Sequence, residues 1–465
     1  MIRSKNCSEK ERQALLLGKG ARLCFLGIGG VGMHALAAMC AARGIFVFGA
    51  DMKENPYTRA LSDLGIRVFS PEAGAAVDSA TAVVCSLAIG ENHPDAKRAR
   101  ALGIPIFTRG ALLGALMAES TTSIAVSGSH GKSTVTAALA AVLKDSEKNP
   151  TVASGASLSQ TGESYRIGGN DFFLAEACEY GDSFLSLRPS LSLFLNLEWD
   201  HPDYFPSEEA LMRSFARAAM QSGVVIYSAE SPLLKKTIDG YGIQNALSVG
   251  QSAECDFRYE IASYENARAT VRFFSGTGEP ILLPLSVEGR FQAQNAAMVL
   301  AAASYLALPK SAVLSSLSSF SGISRRLSCI RRDSARPIYY DYAHHPTEIR
   351  AGIETLKDLH SETLTVVFRP HTFSRTEALF TDFAAALKTA DRVIVTDTDG
   401  ARERGNGELS KTLAASAGGQ YVPLSCLADA ISREENGSVV LMGAGDFSSV
   451  LTALALSDTE NKKDS

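Results

Sequence analysis

Short apolar runs alternate along the 465 residues with segments whose apolar positions recur at helical spacing, the pattern of parallel strands joined by crossover helices. The fold class this predicts is α/β. Runs at 22–26, 45–50 and 82–86 read as strands of a first unit that fades near 112–119. The run at 123–127 opens a second unit. It continues through strands at 172–175 and 191–195, a β-rich stretch from 246 to 287, and an alanine-rich helix at 293–306. After Arg325 and Arg326 a third unit begins, with strands at 338–340, 363–368, 392–396 and 438–442. At roughly 150 residues per domain the length fits three domains, placed at 1–120, 121–326 and 327–465. No internal repeat is present. The polar ends, 1–19 and 457–465, are expected to be mobile.

Composition narrows the choice of partners. A net charge of −5, from 45 Lys and Arg against 50 Asp and Glu, provides no basic excess to hold a polyphosphate chain, so nucleic acid is not expected as a partner. The eight cysteines lie far apart with no C-x-x-C pair, and they read as reduced thiols of a cytoplasmic protein rather than disulfide or zinc partners. Residues 23–42 carry no Asp, Glu, Lys or Arg, but the glycines at 27, 29, 30 and 32 and His34 make them a buried strand, turn and helix instead of a membrane span.

Two glycine turns carry the first chemistry. Gly27-Ile28-Gly29-Gly30-Val31-Gly32 follows a strand and opens a helix, and Asp51 ends the next strand. Such a turn lets a pyrophosphate approach a helix N-terminus while the acid takes ribose hydroxyls. The pattern leaves the nucleotide open among NAD, FAD and a UDP-sugar. The second turn, Gly128-Ser129-His130-Gly131-Lys132-Ser133-Thr134, also stands between strand and helix. There backbone N–H groups can cradle phosphates, Lys132 can neutralise β and γ oxygens, and Ser133 can bind Mg²⁺. Val126 stands where the general P-loop needs its first glycine, so this loop is the shorter one.

Polar clusters then fall at strand ends, which face the ligand edge of a parallel sheet. Glu176 leads Glu176-Ala177-Cys178-Glu179-Tyr180, and Asn196-Leu197-Glu198-Trp199-Asp200-His201 follows the next strand, placing an acid and an imidazole where they could hold metal. In the third unit the clusters are Asp341-Tyr342-Ala343-His344-His345-Pro346-Thr347-Glu348 and Phe368-Arg369-Pro370-His371-Thr372-Phe373-Ser374-Arg375-Thr376. Without cysteine partners or an H-E-x-x-H, zinc is the weaker reading of these histidines.

With these motifs, and with Asp200-His201-Pro202-Asp203-Tyr204 and Met442-Gly443-Ala444-Gly445-Asp446, the chain resembles the Mur ligases from Gly27 to Asp446, closest to their alanine-adding branch. The resemblance implies an N-terminal Rossmann-like domain for the UDP-sugar, a central P-loop ATPase with a small β-rich part, and a C-terminal Rossmann-like domain that closes over the active site. It implies an ATP-dependent ligase joining L-alanine to the lactyl carboxylate of UDP-N-acetylmuramate through an acyl phosphate and a tetrahedral intermediate. By the same resemblance Gly27, Gly29, Gly30, Gly32, Asp51 and Ser86 serve the UDP-sugar, and residues 128–134, Asn295, Arg326 and Asp341 serve ATP. Ser133 and Glu176 hold one Mg²⁺ and His201 a second, while Tyr342, His344, His371 and Arg375 form the alanine site. Lys132, Glu176, His201, His344 and Arg375 are the catalytic set. Arg375 is expected to grip the amino-acid carboxylate through its fork; its plainer alternatives are helix capping or a pair with Glu377.

The chain departs from the family pattern twice. Gly289-Arg290-Phe291-Gln292 stands where Gly-Arg-His-Asn is usual, with Asn295 kept, and Thr372 replaces a usual arginine. No lysine lies between Asp200 and Leu234, as expected for a branch that lacks the carbamylated lysine of other Mur ligases. Rival readings are the related ligase that recycles a whole murein peptide, a nicotinamide dehydrogenase built on Gly27 to Asp51, and a silent binding protein. The expected assembly is a monomer or homodimer.

Overall fold

The computed structural model describes residues 8–70, 76–86, 89–90, 92–158, 162–276, 278–331, 336–400, 403, 405, 407–434 and 436–455. The chain forms two compact units, one of residues 1–197, 211–249 and 301–313, the other of 198–210, 250–300 and 314–465.

Two sheets lie in the first unit. One runs Arg67–Phe69, Phe46–Ala50, Arg22–Leu26, Ala82–Cys85, Ile106–Thr108, with every pair parallel. Leu23 to Leu26 are fully buried, as strands covered on both faces must be. The chain moves outward to one side of Arg22–Leu26 and then to the other. The glycine turn at 27–32 therefore leaves the sheet where the strand order reverses, the place where doubly wound sheets bind ligands.

The other sheet repeats this arrangement around Thr122–Ser127, which lies between Leu191–Phe194 and Phe172–Glu176, both parallel to it. Val224–Ser228 and Ala246–Gly250 extend the sheet on the first side; Thr151–Ala153 and the antiparallel Tyr165–Arg166 extend it on the second. The second glycine loop, Glu176 and Asn196 consequently open on one edge.

In the second unit, Ile338–Asp341, Ser438–Met442, Leu364–Phe368, Arg392–Val395 and Gln420–Tyr421 form a parallel sheet, with Ser328–Arg331 antiparallel at its margin. Alternate residues of one strand feed two cores, Val366 and Phe368 on one face and Val367 on the other. The β-rich stretch resolves, beyond residue 250, into an antiparallel meander of Phe257–Glu265, Arg268–Ser275 and Ile281–Glu288.

One expectation is corrected at the N-terminus. Residues Glu9–Leu17 form a helix, opened by a capping box between Ser8 and Glu11 and anchored by fully buried Leu16 and a Gln13 amide bond to the Ala115 carbonyl at 3.1 Å. Polar composition concealed a helix that needs only one anchoring residue. The tail at 457–465 lies outside the described residues. Among the described residues no helix is long and apolar enough to cross a membrane, and 23–42 splits into strand, turn and the helix Val31–Ala42. No described cysteine is joined in a disulfide.

Candidate active site

The first glycine turn is held by its own side chains. Gly27 takes φ 77°, and a Cβ on Gly29 would lie 2.7 Å from Thr58 and 2.8 Å from the Asn55 amide, so this position needs glycine for closeness. Asp51, expected to meet a ribose, accepts a hydrogen bond from the Gly29 N–H at 2.8 Å, while Asn55 donates to the Gly29 carbonyl at 3.2 Å. The carboxylate shapes the loop and keeps lone pairs for a hydroxyl. Gly30 caps the helix Val31–Ala42 without a side-chain bond, Gly32 lies against the Arg109 guanidinium, and Ser86 lies against Gly27.

The second loop carries charge. Gly131, at φ 79°, caps the helix Lys132–Asp145, which contains Ser133 and Thr134. Asn196 clamps the loop from the neighbouring strand end: its backbone carbonyl accepts from Ser129 N–H at 3.2 Å, its side-chain oxygen accepts from His130 N–H at 2.8 Å, and its amide donates to the His130 carbonyl at 3.1 Å. The Lys132 ammonium donates to both oxygens of Glu179 at 3.1 Å and curls back onto the carbonyls of Gly128 and Ser129. Burial opposes its charge, yet Glu179, Cys178 and Glu176 outweigh burial and raise its pKa above the ordinary value. Glu176 accepts from the Ser133 hydroxyl and from Gly155 N–H, each at 2.8 Å. A Cβ on Gly155 would come within 2.5 Å of that carboxylate.

A second constellation belongs to the other unit. Arg375 is 4% exposed and Asp200 5%. Arg375 Nε donates to Asp200 Oδ1 at 2.7 Å and Nη2 to Oδ2 at 3.2 Å, with His201 Nδ1 3.4 Å from Nη2. Burial favours the neutral acid, but Arg375, His201 and His344 overcome it and hold Asp200 far below the usual carboxylate range. The fork foreseen for the amino-acid carboxylate is thus engaged by Asp200, and neither Glu377 nor a helix cap is its partner. His201 itself sits at φ 55°, a left-handed backbone that non-glycine residues rarely adopt.

Around this pair, Glu348 binds Arg326 at 2.8 Å through one oxygen and accepts from the His344 N–H at 3.0 Å through the other. Burial holds His344 neutral, its pKa pushed down to about 3. Its Nδ1 lies 3.0 Å from the Tyr342 carbonyl, so Nδ1 carries the proton and Nε2 keeps an open lone pair. Tyr342 packs edge-on to His344 at 5.2 Å. Burial also raises Asp341 to about 6, against the pull of Arg326. His371 is pushed down by burial, and its Nδ1 is buried without a hydrogen-bond partner. Asn295 donates to Gln292 at 2.9 Å, so one departure from the family pattern engages its amide.

The structure therefore gathers Lys132, Ser133 and Glu176 in one unit, and His201, His344 and Arg375 in the other. Glu179, Asn196, Asp200 and Glu348 lie within the sequence motifs, but the motifs by themselves indicate no role for them. Glu348, four residues after His344 at the start of a helix, was the one whose spacing could have indicated its partner.

Comparison with known proteins gives a consistent family. The model of the Mur ligase family catalytic domain matches residues 22–121, the Mur ligase middle domain 126–303, and the Mur ligase glutamate ligase domain 325–445. The UDP-N-acetylmuramate–L-alanine ligase of Agathobacter rectalis is 34% identical over 400 residues, 84% of this chain and 86% of that one. The enzyme of the same name from Acetivibrio thermocellus is 31% identical over 447 residues, covering 91% and 93%. Among solved structures, the UDP-N-acetylmuramate-alanine ligase of Thermotoga maritima superposes with a TM-score of 0.78 at 27% identity, covering 93% of this chain and 98% of that one. A murein peptide ligase of Psychrobacter arcticus shares the fold, with a TM-score of 0.72 at 22% identity over 94% and 99%. With three successive family domains matched and relatives aligned over most of its length, the chain belongs to the Mur ligase family.

Proposed function

We propose that the chain is an ATP-dependent ligase of peptidoglycan precursor synthesis, joining L-alanine to the lactyl carboxylate of UDP-N-acetylmuramate. The observation that carries this is the half-buried cluster of Lys132, Ser133 and Glu176 at the strand-order reversal of a parallel sheet, in a chain so similar to ligases of that name. ATP transfers its γ-phosphoryl group to the lactyl carboxylate. The alanine amine then attacks the acyl phosphate, and phosphate leaves from the tetrahedral intermediate.

Lys132 serves the phosphates, because a carboxylate and a triphosphate repel each other until cations offset their charge. The Ser133 hydroxyl and the Glu176 carboxylate are hard oxygen donors already 2.8 Å apart, a set that suits Mg²⁺. Ser133 and Glu176 would hold one Mg²⁺ and His201 a second, and the metal would supply charge neutralisation to the phosphates. The glycine turn at 27–32 with Asp51 and Ser86 receives the UDP moiety, and Asn295, Arg326 and Asp341 contact the ATP. Tyr342, His344 and His371 line the alanine site. Neutral His344 presents Nε2 as an acceptor that orients the amine. Arg375 reaches the amino-acid carboxylate only through what its contact with Asp200 leaves over.

Phosphate release with ATP, UDP-N-acetylmuramate and a panel of amines tests the reading. Release is expected with L-alanine. Release supported only by a tripeptide would assign the chain to murein peptide recycling, and no release with any amine would leave the ligase reading without support.

A further inference from the structure

The Lys132 side chain does not extend along its loop towards an open cradle. Its ammonium is occupied by both oxygens of Glu179 and by the carbonyls of Gly128 and Ser129, so the cation lies folded over the loop that should receive phosphate. Two of the loop's own donors, the N–H groups of Ser129 and His130, are taken by Asn196. Lys132 is then the principal positive group the loop can offer a polyphosphate, and it is already engaged by Glu179. Glu179 is 3% exposed, at the end of the Ala177-Cys178-Glu179 segment that leaves the strand Phe172–Glu176. A buried carboxylate is held there at a cost that its cation offsets. An ammonium on a flexible stem, with three donors and no fixed fork, can change acceptors without rebuilding its surroundings.

We propose that Glu179 sets the affinity of this site for a nucleoside triphosphate, holding Lys132 in the unliganded loop so that the polyphosphate binds by taking over that ammonium. The inference rests on the nucleotide reading of the loop and adds a residue to it. Glu179 touches no reacting atom; it is a positioning residue that acts through Lys132. An alternative account, in which the carboxylate merely repels phosphate, makes no demand on Lys132.

The test uses the full chain with Glu179→Gln and two readouts. Titration with MgATP, without the other substrates, should show binding tightened by about tenfold, a factor equivalent to ~1.4 kcal/mol. Acetylation of Lys132 in the unliganded protein, followed by mass spectrometry, should be faster than in the native chain, because its ammonium has lost its holder. Unchanged or weaker MgATP binding overturns the proposal, as does tightening with unchanged Lys132 acetylation, the result that simple repulsion predicts. Glu179→Asp keeps the charge and hence the buried pair, but withdraws it by one methylene. It should shift both readouts the same way by less, and it decides the matter by the same criteria if the Gln variant does not fold. A native chain that binds no MgATP at all would instead sink the nucleotide reading of the loop.

Discussion

In each unit a buried carboxylate, Glu179 in one and Asp200 in the other, holds a cation, and the two pairs are built differently. Lys132 meets Glu179 symmetrically at 3.1 Å and divides its remaining donors among carbonyls of its own loop. Arg375 meets Asp200 through a planar fork, with both Asp200 oxygens accepting from it and one of them also accepting from the His201 N–H at 2.6 Å. The lysine pair is exchangeable, because an ammonium accepts any oxygen that arrives. The arginine pair is fixed, because the fork fits one carboxylate and a replacement would have to match two directions at once. The lysine pair suits the role proposed for it, that of meeting a ligand, and the arginine pair suits holding its surroundings together, though both cations are paired.

The largest expected break in this comparison is Lys132→Ala. It should lower turnover by well over a hundredfold while UDP-N-acetylmuramate binding, measured by calorimetry, stays nearly intact. Activity within about tenfold of the native enzyme, only ~1.4 kcal/mol of barrier, would show that the lysine is not the phosphate cation. Asp200→Asn comes next. Leaving Arg375 buried without its anion should cost about 3 to 5 kcal/mol of stability in urea unfolding, whereas Glu179→Gln should cost less because loop carbonyls still accept from Lys132. Equal losses in the two variants would erase the distinction between a fixed and an exchangeable pair.

Arg375→Lys sharpens it. An ammonium keeps the charge but has no planar fork to hold both Asp200 oxygens and still aim at a substrate carboxylate, so the alanine KM should rise roughly ten- to a hundredfold, ~1.4 to 3 kcal/mol, with the ATP KM nearly unchanged. An alanine KM that stays put would leave Arg375 only its contact with Asp200. Glu176→Ala should raise the Mg²⁺ concentration needed for half-maximal activity by about tenfold, since it removes one of two neighbouring oxygen donors; an unshifted Mg²⁺ titration counts against that assignment.

A last test concerns pH and is read on stability rather than on activity. His344 is held neutral with its pKa depressed to about 3, so between pH 6.5 and that value the unfolded chain binds a proton that the folded chain refuses. Its contribution to stability is present above pH 6.5 and is lost as pH falls through this window, at up to about 1.4 kcal/mol per pH unit. Asp341, raised to about 6, acts in the opposite sense: its folded form keeps a proton that the unfolded chain releases, so its contribution falls as pH rises from 3.8 to about 6. His344→Asn should flatten the loss of stability between pH 6.5 and 4 in urea titrations. An unaltered slope would mean that the imidazole is not kept neutral by burial.

Much of this was legible because it is local. Alternating apolar runs specify parallel strands and crossover helices whatever lies around them, and a glycine turn between strand and helix announces an anion site through backbone geometry alone. Lys132, Ser133 and Glu176 could therefore be picked out from strand ends. Short strands such as Arg67–Phe69 and Gln420–Tyr421 could not be picked out, since a few residues carry too little periodicity and their pairing is supplied by the neighbouring strand.

What sequence alone determined is the order of the longer strands and crossover helices, the order in which chemistry-bearing residues fall at their ends, and the family resemblance. Only the tertiary structure decided which charge meets which. Glu179 lies 47 residues from Lys132 and Asp200 lies 175 from Arg375, and nothing in local spacing couples positions so far apart. It also decided that the Arg375 fork is engaged, that Asp51 supports its loop, and that His344 is neutral. Each of these depends on desolvation and on neighbours brought in by packing, and a buried group's charge and partners are fixed by the surfaces that close around it.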